Sequence, residues 1–162
     1  FLASKAKMIK KEVTSEELIN EARKQNNKAL LDLIHLFSAQ YKLNPEVSSI
    51  IAQLHQSGIT QHIGSNIGPT LLETFYQTFP DVMNCFSYTH IATCHDPKKI
   101  IKKPDPLFFM SYIQNIECDP AQVIFIDDKI TNIKAAQKCG LRVIHFKDST
   151  QLKKELLSFI SG

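Results

Sequence analysis

Several things this 162-residue sequence lacks each exclude a class of protein. No apolar run approaches the roughly 20 residues of a membrane-spanning helix, and the opening FLASKAKMIKK has too short an apolar segment for a secretory signal. No CxxC pair is present. Cys85, Cys94, Cys118 and Cys139 are too scattered for a zinc site or a disulfide framework, so a reducing cytoplasm is the expected home. Charge of one sign is also scarce: the net charge is +3 and the pI near 8.6, too weak to make nucleic acid an expected partner. The one dense basic group, Lys98, Lys99, Lys102 and Lys103, reads as a solvated loop when taken as a whole. No GxGxxG stretch supports a dinucleotide site, and internal repeats and low-complexity segments are absent.

What is present is a chain with 43% hydrophobic residues, enough to bury a core in one domain or in a domain with a small helical appendage. Residues Thr14 to Tyr41 are patterned as helix, with a capping box at Thr14 and Glu17 and apolar spacing through Leu30, Leu31, Leu33, Ile34 and Phe37. Asn44-Pro45 restarts a helix that places Val47, Ile50, Ile51 and Leu54 on one face and stops at Gly58. Short strand-like runs then alternate with helices. Strands are expected at Ile59 to Asn66, Cys85 to Ala92, Val123 to Asp127 and Arg142 to Phe146. Helices are expected at Pro69 to Phe79, after Asp105-Pro106, after Asp128 up to Gly140, and from Thr150 to Ile160. This order predicts an α/β fold, a Rossmann-like parallel sheet with helices on both faces, in a core over 45–162 preceded by a helical segment over 1–44.

Open α/β sheets bind ligands at the carboxyl ends of their strands, so Ser65-Asn66 and Asp127-Asp128 share one rim. Lys103, just before Pro104, and Asn132, one helical turn past the acidic pair, complete the set. A hydroxyl and a lysine can bind phosphate, and paired carboxylates can hold Mg²⁺ through hard oxygen ligands, a combination suited to phosphoryl transfer. Taken singly, each residue has a plainer reading: Ser65 as a turn residue, Lys103 as a solvated lysine, and the acidic pair as the cap of the next helix.

The order HIGSN, KKPDPLFF and IFIDDKITNIKAAQKCG resembles motifs two, three and four of the haloacid dehalogenase superfamily of hydrolases, over about Pro45 to Asp148. The resemblance implies that Ser65 binds the transferring phosphoryl group, Asn66 supports that loop and Lys103 stabilises phosphate and nucleophile charge. It further implies that Asp127 and Asp128 bind Mg²⁺, with Asn132 orienting the acidic loop. The acidic pair favours a magnesium-dependent phosphatase acting on a small phosphorylated metabolite over a metal-free dehalogenase.

The family's first motif, a strand ending in DxD, has no counterpart here. Before Ser65 the only aspartate is Asp32, on an amphipathic pattern from Ala29 to Ala39. The resemblance therefore implies that the nucleophile and a central strand come from an upstream segment or a partner chain, and that these residues alone are inactive. The alternative is a truncated or degenerate member acting by binding. Two further expectations concern polar residues. Thr60, Gln61 and His62 interrupt a strand that should be buried, with His62 read as a structural histidine. His90, Cys94, His95 and Asp96 form a weaker candidate for a transition metal. A phosphorylation-receiver domain is disfavoured because receivers place the acidic pair first and the lysine last.

Overall fold

The computed structural model describes residues 15–29, 41–91, 93–96 and 99–160. The amphipathic pattern carrying Asp32, Thr14 of the expected capping box, and the side chains of Cys94, His95 and Asp96 lie outside the described residues. Two compact units form. One comprises Phe1–Asn44 with Ile67–Cys85, and the other Pro45–Asn66 with Phe86–Gly162. No helix among the described residues is long and apolar enough to cross a membrane.

In the first unit, helix α1 is Ser15–Lys24, with Ala22 fully buried. The second unit begins with helix α2, Pro45–Gln56, and strand β1, His62–Ser65. Returning to the first unit, helix α3 spans Pro69–Thr78 and the short helix α4 spans Pro80–Met83. Each of the two starts on a proline, whose missing N–H costs nothing in a first helical turn. Tyr41 packs edge-on against Phe75 of α3, ring centroids 5.2 Å apart.

The rest of the second unit runs β2 (Tyr88–Ile91), β3 (Thr93–Asp96), β4 (Lys99–Ile101) and helix α5 (Pro106–Ile116). After a single 3-10 turn at Pro120–Gln122 come β5 (Ile124–Asp127), helix α6 (Ile130–Lys138), β6 (Arg142–His145) and helix α7 (Ser149–Ile160). The starts are written locally. The Asp105 carboxylate accepts from Leu107 N at 3.0 Å and the Asp119 carboxylate from Ala121 N at 2.9 Å, each with proline in the first position. Gly140 ends the turn after α6 at φ +90°, a left-handed conformation that a side chain would strain.

β1 pairs in parallel with β2 and β5 in parallel with β6, Asp127 opposite His145. Successive residues of β5 and β6 point to opposite faces, and both faces are covered. On one, Phe125 and Val143 pack against Phe108, Phe109, Ala136 and Leu141 from α5, α6 and the turn after it. On the other, Ile124 and Ile144 pack against Leu152 and Leu156 of α7, with Ile50 and Leu54 of α2 alongside. The α/β architecture with parallel strands and helices on both faces is thus as expected. Among the described residues β1 and β5 share no ladder hydrogen bonds, so the parallel strands stand as two pairs.

Lys99, read as part of a solvated loop, instead belongs to an antiparallel pair, β3 with β4, with a register shift between Cys94 and Asp96. β3 reads TCHD and β4 KII, neither of them an apolar run nor a clean apolar–polar alternation, which is why the pattern missed them. The polar strand β1 also finds its explanation. Gln61 donates to Ile51 O at 2.9 Å, and His62 Nδ1 lies 2.8 Å from the Tyr112 hydroxyl on α5. Next to it, His90 Nε2 faces the carbonyl of Phe108 at 3.0 Å, which requires the proton on Nε2 and leaves Nδ1 to accept from Tyr88 at 3.3 Å. Asn115 in turn donates to the Tyr88 hydroxyl at 3.3 Å. His62 is therefore a structural histidine, its pKa lowered by burial.

Burial first, then the nearby Cys118 and Tyr88, push the Tyr112 hydroxyl up to about 12. A group whose pKa is raised on folding holds its proton in the folded state. Its contribution is complete below the unfolded value near 10 and is lost as pH rises through about 12. Urea melts between pH 8 and pH 12 should show an alkaline decline that is reduced in Tyr112→Phe. At pH 7 the same substitution should cost about 1 kcal/mol, the worth of one part-buried hydrogen bond.

Candidate active site

β1 and β5 both end at one rim of the second unit, and Lys103 joins them. Its ammonium donates to Gly64 O at 2.6 Å and to Asp127 Oδ2 at 2.7 Å, and it lies 5.3 Å from the centroid of the Phe125 ring. Both partners of this ion pair are nearly removed from solvent, with side-chain exposures of 10% and 6%. Lys103 is therefore not the solvated residue that the basic cluster suggested, although Lys102 beside it is exposed. The reason is tertiary: the peptide at Lys103 is fixed by Asn66, whose Oδ1 accepts from Lys103 N and whose Nδ2 donates to Lys103 O, both at 2.8 Å. A two-point clamp of this kind sets the direction in which the lysine side chain leaves the backbone.

Asp127, the last residue of β5, is buried and fully directed. Its Oδ1 accepts from Lys129 N at 2.8 Å and from Asn132 Nδ2 at 2.9 Å, and its Oδ2 from Lys103. Burial pushes this carboxyl up. The bonds from Lys103, Lys129 and Asn132 outweigh that and hold it below the ordinary aspartate value. The Oδ1 that accepts from Lys129 N, the residue before α6, belongs to the same carboxylate that faces Lys103.

Asp128 is exposed, and among the described residues no side chain or N–H bonds its carboxylate. Ser65 ends β1 opposite Ile91. The structure therefore brings Asn66, Lys103, Asp127 and Asn132 into one hydrogen-bonded network and sets Ser65 and Asp128 beside it in the chain. Sequence reasoning missed the carbonyl of Gly64, the ring of Phe125 beneath the ammonium, and His145. Only His145 left a trace, as a residue of the strand expected after the acidic helix.

The donor set suits a hard cation. Asp127 uses three of about four lone-pair positions, leaving one on Oδ2, and Asp128 offers a whole carboxylate. The described residues hold no group of three or more His, Cys, Asp or Glu side chains arranged for a metal. One or two carboxylates, with several waters and a substrate phosphate, are the ligand set that Mg²⁺ takes.

A family model described as haloacid dehalogenase-like hydrolase matches residues 2–140. Flavin mononucleotide hydrolase 1 of Arabidopsis thaliana is 36% identical over 55 residues, 34% of this chain and 22% of that protein. The sesquiterpene phosphatase astK of Aspergillus oryzae is 35% identical over 60 residues, 37% of this chain and 31% of that protein. The chain thus spans between about a fifth and a third of these relatives' length. A solved structure from Bacteroides thetaiotaomicron is described as a haloacid dehalogenase family enzyme in complex with magnesium and inorganic phosphate. It superposes with a TM-score of 0.59 at 17% identity, covering 83% of this chain and 71% of that one, a likeness of fold.

Proposed function

Because the chain belongs to the haloacid dehalogenase-like hydrolases, we propose that its rim is the active site of a Mg²⁺-dependent phosphatase for a small phosphorylated metabolite. The observation that carries this reading is the Lys103–Asp127 pair at 2.7 Å, where strand ends from two separate parallel pairs meet. In this reading Ser65 binds the phosphoryl group, and Lys103, aimed by Asn66, offsets charge on the phosphate and on the attacking group. Asp127 and Asp128 hold the metal, with Asn132 keeping Asp127 in place. The bound cation supplies charge neutralisation at the phosphoryl oxygens.

The attacking carboxylate comes from a segment outside these 162 residues, entering between β1 and β5, whose facing edges carry no ladder bonds to each other. Two relatives with phosphate-hydrolysing names support the substrate class. In the same reading residues 1–44, expected from their pattern to be helical, belong to the cap segment.

A second reading, binding without turnover, has one observation in its favour. Lys103 is already engaged by Gly64 O and Asp127, so its charge is offset without phosphate. One experiment separates the two. The chain extended by its upstream coding sequence is assayed with p-nitrophenyl phosphate beside the 162 residues alone. Activity is expected only in the extended form, with loss on chelation by EDTA and a fall of at least about 100-fold in Asp127→Asn. An inactive extended chain that still binds inorganic phosphate would favour the second reading.

A further inference from the structure

The two carboxylates of the acidic pair are supported very unequally. Asp127 is locked by three donors. The Asp128 carboxylate has none among the described residues, so its direction depends on how its peptide is held. Two contacts from the strand next door hold that segment. Phe146 N donates to Asp127 O at 3.0 Å, and His145 Nε2 lies 3.0 Å from Asp128 O. A carbonyl only accepts, so His145 presents Nε2–H to it.

His145 is itself well mounted. It stands opposite Asp127 in the β5–β6 register, and its own carbonyl accepts from Gln151 Nε2 at 3.2 Å. Gln151 also accepts from Lys147 N at 3.1 Å and donates from its backbone N to Asp148 Oδ1 at 2.8 Å, bracing the turn between β6 and α7. A side chain fixed in this way can fix the peptide it binds.

We propose that His145 is a positioning residue for the metal site: by pinning the Asp128 carbonyl it orients the Asp128 carboxylate toward the cation. The proposal rests on the metal-binding reading above and extends it to a residue outside the acidic motif. Groups that orient a ligand from behind commonly change metal affinity by 10- to 100-fold when removed.

The test is Mn²⁺ binding to the chain extended by its upstream coding sequence, followed by water-proton relaxation, with thermal melting of every variant. Asp127→Asn serves as the control for the site. His145→Phe and His145→Leu, which fill space without a donor, should weaken Mn²⁺ by about 10-fold. His145→Gln, which keeps an amide N–H at similar reach, should bind close to wild type even if it melts lower. Wild-type affinity in both donor-free variants overturns the inference, as does a Gln variant as weak as they are. Failure of the wild-type chain to bind Mn²⁺ any better than Asp127→Asn overturns the metal reading itself, and the role of His145 with it.

Discussion

Replacing Lys103 by methionine is expected to destabilise the protein by about 3 kcal/mol, well beyond the effect of losing a surface lysine. The substitution keeps the alkyl stem over Phe125 but removes the ammonium from between Gly64 O and Asp127. Asp127 is then left buried and charged with two donors in place of three. Removing one partner of a buried pair costs about 3 to 5 kcal/mol because the other charge stays desolvated. The two remaining bonds to Oδ1 place the effect at the lower end. Chemical denaturation at pH 7 measures it, and a loss under about 1 kcal/mol, the range of an exposed pair, would refute the account.

The pH dependence follows with a definite sign. The carboxyl of Asp127 sits below its ordinary value in the folded state, so its contribution is complete above the unfolded value near 4 and is lost as pH falls through the depressed one. Wild type should therefore show an acid decline in stability. In Lys103→Met the pKa of Asp127 rises and that decline becomes smaller. An unchanged acid limb in the variant would show that Lys103 contributes nothing to the state of Asp127.

Phe109→Ala should cost about 3 to 5 kcal/mol and lower the melting temperature by roughly 10 °C. Phe109 is 1% exposed and lies edge-on between Phe108 and Phe125, with centroids 5.4 and 5.1 Å away. It joins α5 to the face of β5, so truncation opens a cavity in the larger of the two clusters. The Lys103 ammonium lies 5.3 Å from the centroid of the Phe125 ring, so this cavity also loosens the floor beneath it. Met110, the next residue, is 57% exposed. Met110→Ala should change stability by about 0.5 kcal/mol or less, although both substitutions remove a large apolar side chain from the same helix. Comparable losses from the two would mean that α5 does not pack by the face seen here.

Helix starts and stops were the features most fully determined by the sequence. The signals are local: Asp105-Pro106 and Asp119-Pro120 cap with their own carboxylates, and Gly140 supplies the left-handed turn. The faces of β5 and β6 were also legible, because a buried parallel strand shows itself as a run such as Val123 to Ile126. The acidic pair at its end marked the rim before any contact was known. The tertiary structure alone decided that Lys103, unlike Lys102 beside it, is withdrawn from solvent. That choice rests on Asn66, 37 residues away in sequence, clamping the peptide of Lys103.

Only the fold could likewise reconcile polar β1 with a half-buried position, since Tyr112 meets His62 across 50 residues. The same holds for His145, which reaches Asp128 because two strands lie in register. Capping and periodicity act within a few residues and can be read along the chain. Hydrogen bonds that satisfy buried polar groups are made across it, and their partners exist only once the strands and helices have been brought together.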